Sequence, residues 1–128
     1  MSTDYNADDA LALISASEQI RLLNDAFRTQ YLAIGPFRAQ NQLVITQGVA
    51  DLGNDFIDRA VKAVRQFSDF TEGNDPSGEH DFGIFKLDGN TLNWKIDYYD
   101  EALESGSRDP ADPAVTTRVL TILLAEEY

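Results

Sequence analysis

The chain has no cysteine, one histidine, one tryptophan and one methionine in 128 residues. Without cysteine there are no disulfides, no thiolate nucleophile and no zinc site built on sulfur. A single imidazole leaves little material for histidine-based metal binding or for proton transfer near neutral pH. Basic residues are also few, ten against twenty-two acids, for a net charge of −12. That balance argues against direct binding to DNA, RNA or an anionic membrane, because each phosphate contact needs a Lys or Arg. No apolar run approaches the roughly 20 residues of a membrane span. The opening MSTDYNADD carries acids where a signal peptide carries bases, so the expected compartment is a cytoplasm of bacterial type. The eight glycines are scattered, so no phosphate-cradling loop forms, and no Gly-x-Ser-x-Gly elbow is present. No cofactor is expected.

What is present describes one soluble domain. The 43% hydrophobic content and a length of 128 residues suffice to bury a core without staples. Residues 1–16 read as a loosely ordered segment, with at most a helical turn at Ala7 to Ile14. Residues 17–128 form the expected domain. Ser17 can cap a helix in which Ile20, Leu23, Phe27 and Tyr31 recur at helical spacing, with Arg21, Asp25 and Arg28 elsewhere around the wheel. Gly35-Pro36 ends it. Gln42 to Gln47 is a β-rich run, followed by Gly48 as a turn or bulge. A second helix spans about Asn54 to Ser68, with Phe56, Ile57, Ala60, Val61, Val64 and Phe67 inward and Asp58, Arg59, Lys62 and Arg65 outward.

Asp69 to Gly78 is a polar loop, and Asp88-Gly89 between two β-like runs is a strong hairpin signal. With those two as the loop, Phe85 pairs with Leu92, Gly83 with Trp94 and Asp81 with Ile96 on one face. Ile84 pairs with Asn93, Phe82 with Lys95 and His80 with Asp97 on the other. The first face is the more apolar and should meet the helices. Asp100 to Pro113 reads as a second polar loop. Val115 to Ala125 is rich in β-branched residues and reads as a central strand, with a helix as the alternative. The expected fold is therefore α+β: an antiparallel sheet of about four strands, Gln42–Gln47, Asp81–Leu87, Asn90–Tyr98 and Val115–Ala125, with two helices on one face.

Residues with chemical potential gather between Asn74 and Asp100. Glu79, His80, Asp81 and Asp97 offer an imidazole with carboxylates, the minimum for a general base or a metal ligand. One His among scattered acids is thin support, since zinc prefers several N or S ligands and hard cations need convergent oxygens. The plainer reading is a surface His paired across the hairpin with Asp97. Arg118, alone in the last strand, is expected to pair with a loop carboxylate such as Asp97 or Asp112, or else to bind an anion. Phe67, Phe85 and Trp94 read as core, whereas Tyr98 and Tyr99 point to opposite faces.

Acid is concentrated in one stretch. From Asp69 to Asp112 there are twelve acids against Lys86, Lys95 and Arg108, a net of −9. This is either a solvated face or a surface that meets a basic partner. Asp75, Glu79, Asp97, Tyr98, Tyr99, Asp100, Glu101 and Glu104 are the candidate binding residues, since Tyr beside carboxylates suits an Arg-bearing partner.

The runs LNDAFR (Leu23 to Arg28), TQGVADL (Thr46 to Leu52), NDPSGEHDFG (Asn74 to Gly83), WKIDYYD (Trp94 to Asp100) and DPADPAVTTRVLTILLAEEY (Asp109 to Tyr128) resemble a small bacterial family. It is catalogued as domain of unknown function 3768, and the resemblance runs from about Ser17 to the C-terminus. It brings no established activity and no functional residue. Such proteins are often encoded on plasmids and other mobile elements of proteobacteria, so the resemblance favours a role in conflict with host defence. Three expectations stand together. The first is an acidic protein-binding module, an inhibitor of the anti-CRISPR or anti-restriction type that imitates nucleic acid against a basic nucleic-acid-binding protein. The second is a small metal-dependent or acid–base hydrolase using His80, Glu79, Asp81 and Asp97. The third is an acidic housekeeping domain. The sequence leaves the oligomeric state open.

Overall fold

The computed structural model describes residues 14–31 and 41–128. The N-terminal segment expected to be loose, apart from its last residues, and the Gly35-Pro36 helix stop lie outside them. Helix α1 spans Ala16–Ala26 and widens into a π-helical turn, Phe27–Tyr31. Its cap is Ser15 rather than Ser17: the Ser15 side chain accepts the Glu18 N–H, and Ser15 O accepts the Gln19 N–H. Ile20, Asn24, Phe27 and Arg28 form its buried face. Two polar residues thus lie on the inward stripe, and Arg28, expected on the wet side, is 2% exposed.

Strand β1 (Gln42–Ile45) leads into the short helix α2 (Gln47–Ala50) and then α3 (Asn54–Gln66). Gly48 is therefore the second residue of a helix, not a bulge. Phe56, Ala60 and Val64, at helical spacing, form the fully buried line of α3. Strands β2 (Phe82–Leu87), β3 (Asn90–Tyr99) and β4 (Thr117–Leu124) complete the sheet, so the last apolar run is a strand. A 3-10 turn, Ala125–Glu127, follows.

The hairpin forms in the expected register, from Phe82 opposite Lys95 to Leu87 opposite Asn90. Asp88 and Gly89 both have positive φ, 51° and 79°, the geometry that matches a two-residue loop to strand twist. Arg59 of α3 grips the turn, its guanidinium donating to both Asp88 carboxylate oxygens at 2.9 and 2.6 Å.

The sheet is mixed rather than antiparallel throughout. Its order is β1-β4-β3-β2, with β4 antiparallel to β3 and parallel to β1. The reason is the length of the β1-to-β2 connection. Carrying α2 and α3 back along the sheet, it returns the chain to its starting end, so the two edge strands run the same way. Leu92, Trp94, Ile96, Leu120 and Ile122 face Phe27, Val49, Phe56, Ala60 and Val64 in one core. Gly83 lies flat against Trp94, where any Cβ would collide with the indole.

Candidate functional site

The end of the sheet where β2 and β4 begin and β3 finishes gathers the loops 67–81 and 100–116. The first loop is shaped by its own side chains: Asn74 Oδ1 accepts the Thr71 N–H, and Asp75 Oδ1 accepts the His80 N–H. His80 has φ 55°, a left-handed conformation that takes the chain out of the ladder. The ladder's last bond on this side is from Ile96 N–H to Asp81 O, so His80 never reaches a position opposite Asp97.

The expected His80–Asp97 pair is thus absent. His80 Nδ1 meets Asp25 Oδ1 of α1 at 2.9 Å, its Nε2 is 3.6 Å from Asp75 Oδ2, and its ring stacks on Phe70 at 3.7 Å and 4°. Asp97 points to the opposite face of the sheet and pairs with Lys95 at 2.7 Å.

Beneath the imidazole runs a buried polar relay. Arg118 Nε donates to Asn24 Oδ1 at 2.7 Å. The Asn24 amide donates to Tyr98 Oη and to Glu79 O, and Tyr98 Oη donates to Glu79 Oε1 at 3.0 Å. Arg118 also donates to Pro110 O and lies over the Tyr98 ring. Its partners are thus an amide and a carbonyl instead of Asp97 or Asp112. Arg28 does similar work one turn along. Its guanidinium caps the C-terminal end of α3 by donating to Val64 O and Phe67 O at 2.7 and 2.8 Å, and it lies over Trp94 and Phe70.

Burial governs the electrostatics. It lowers the basicity of Arg28 and Arg118, and it pushes the Tyr98 phenol well above the ordinary tyrosine range. Burial also raises Asp81, helped by the negative charges of Glu79, Asp75 and Asp97.

The structure scatters the four residues of the hydrolase reading. His80 joins Asp25 and Asp75, Glu79 turns to Tyr98, Asp81 follows the edge of the ladder, and Asp97 goes to Lys95. Among the described residues no group of three or more His, Asp or Glu is arranged to hold a metal ion. The His80 side chain is 23% exposed and its Asp25 partner 34% exposed, so the pair lies at the surface of the joint. A groove of 410 Å³ lies elsewhere, between Thr29 and the outer face of α3 at Asp58, Lys62 and Arg65.

The candidate binding residues also divide. Asp75, its side chain 5% exposed, serves His80, and Tyr98 belongs to the relay. Asp100 Oδ1 accepts the Glu104 N–H, and Tyr99 bridges to Gly106. Glu101 and Glu104 project into solvent beside exposed Leu103. Asn24, Asp25, Arg28 and Phe70 escaped the sequence reading. For Asn24 and Arg28 a signal existed: they lie four and eight residues after Ile20, on its own helical stripe. For Asp25 and Phe70 there was none, because only folding brings them to His80.

No helix among the described residues is long and apolar enough to cross a membrane. No curated protein and no solved structure matches the chain. A family described as "protein of unknown function (DUF3768)" matches residues 45–127, from the last residue of β1 through α2, α3 and strands β2 to β4. The chain belongs to that family.

Proposed function

We propose that the protein is an acidic binding module whose partner is a basic, nucleic-acid-handling protein, met through the loops at the open end of the hairpin. The carrying observation is the distribution of charge: twelve acids against three bases between Asp69 and Asp112. Local cations do little to offset it. Lys95 is committed to Asp97, while Arg28 and Arg118 are buried in the joint below. Glu72, Glu101 and Glu104 are exposed, so carboxylates are presented on both loops. Such carboxylates suit an Arg- and Lys-lined groove built for phosphates, and their field would steer association. The finer reading is inhibition by imitation of nucleic acid, in the manner of anti-CRISPR or anti-restriction proteins.

The test uses immobilised full-length protein and a host extract. Captured proteins should be released by a duplex oligonucleotide and by rising salt, and should be lost when Glu72, Glu101 and Glu104 are all changed to Lys. Among the described residues these three side chains make no hydrogen bond and all three are exposed, so the triple variant should keep the natural thermal melt. Capture that survives both the competitor and the reversal would reduce the acidic surface to a solvated face.

A further inference from the structure

Strand β2 closes one side of the sheet with half of its backbone unpaired. The register around the two-residue turn, and the bond from Ile96 N–H to Asp81 O, place its odd-numbered residues in hydrogen-bonded pairs with β3. The N–H and C=O groups of Phe82, Ile84 and Lys86 therefore point outward, and among the described residues no strand lies beside them. Sheets ordinarily protect such an edge with proline, a bulge, a charge or a very short strand. β2 is six residues long and has only Lys86 as a guard. At its centre Ile84 is 53% exposed, more than any other large apolar residue described except Tyr128.

We propose that this edge pairs with the same edge of a second copy of the chain, antiparallel about Ile84, to make one sheet across two protomers. The pattern is self-complementary. A two-fold axis at Ile84 sets that residue against its own copy and Phe82 against Lys86, and all the outward groups of the strand find partners. The two Ile84 side chains cover each other. Lys86 meets the Phe82 ring of the other copy, which already contacts Tyr128 edge-on at 6.1 Å, so the guard residue gains an aromatic partner. A slip by one residue would call on groups already bonded to β3. Slips by two leave either Phe82 or Lys86 unpaired, and a larger one sets Lys86 against itself.

The net charge of −12 on each copy opposes association, so the dimer strengthens as salt screens that repulsion. This trend is the reverse of that for an acidic surface on a basic partner, so the two readings fail separately. Sedimentation velocity of the full chain, over a wide concentration range at low salt and at about 0.5 M salt, should show growth from the 14.2 kDa monomer to twice that mass. Hydrogen exchange should show the Ile84 and Lys86 amides protected in the dimer alone. Ile84→Lys should remain monomeric with an unchanged thermal melt. Ile84→Pro should do the same, since it removes an outward N–H and no bond to β3. If Ile84→Pro fails to fold, Ile84→Lys and the amide exchange decide. A monomer under every condition overturns the proposal. So does a dimer that survives Ile84→Lys or leaves both amides unprotected.

Discussion

The carboxylate of Glu127 fills the space that a side chain at Gly48 would occupy. Its atoms lie 2.7 to 2.8 Å from the Cβ position of that glycine. It accepts from Leu124 N–H, the Thr46 hydroxyl and Gly48 N–H, tying the end of β4 to the start of α2. The same donors, Leu124 N–H foremost, hold its pKa below the usual carboxylate range.

Gly48→Ala should therefore change sign with its partner. In the natural background it expels the carboxylate and lowers the melting temperature. In a Glu127→Ala background it should raise it, because Ala is favoured over Gly in a helix by up to about 1 kcal/mol. A thermal double-mutant cycle reads the coupling, and equal effects in both backgrounds would disprove the contact. Because Glu127 is more acidic when folded, its contribution is complete above the ordinary carboxylate pKa. It is lost as pH falls through the depressed folded value, so the cycle should flatten in acid.

Arg28 holds α3 to α1 from within. Arg28→Met keeps the apolar stem but leaves Val64 O and Phe67 O without their donors, at a cost of about 2–4 kcal/mol. Arg28→Lys should recover only part, since an ammonium cannot serve two carbonyls and stack on Trp94 with one flat group. Urea denaturation measures both. A loss below about 0.5 kcal/mol for the Met variant would mean that the carbonyls find other partners.

Asp81 should weaken the fold at neutral pH. Its folded pKa is raised, first by burial and then by Glu79, Asp75 and Asp97. A raised carboxylate leaves stability intact below its unfolded pKa and erodes it as pH climbs through the folded value. Asp81→Asn should thus raise the melting temperature at pH 7 and leave it unchanged near pH 3. A variant less stable than the natural protein at pH 7 would show that the carboxylate has a favourable partner.

The local elements were legible because each rests on short-range rules. Asp88-Gly89 requires two positive φ values in sequence, which sets the turn and, through it, the register from Phe82–Lys95 to Leu87–Asn90. The helix from Asn54 was visible because Phe56, Ala60 and Val64 repeat at its period. The polar core was less visible. Asn24 and Arg28 occupy buried positions of the α1 stripe, and a hydrophobic pattern reads such residues as wet.

The sequence by itself determined the class of the molecule, its four strands, the hairpin register and the acidic bias of residues 69 to 112. All of these follow from neighbours along the chain or from composition. Tertiary structure alone decided that β1 runs parallel to β4, because the α2–α3 connection must cross the sheet before β2 begins. It also decided the company of His80. A left-handed backbone turns that residue from Asp97 toward Asp25, 55 positions earlier in the chain, and no local pattern encodes a contact between segments so far apart.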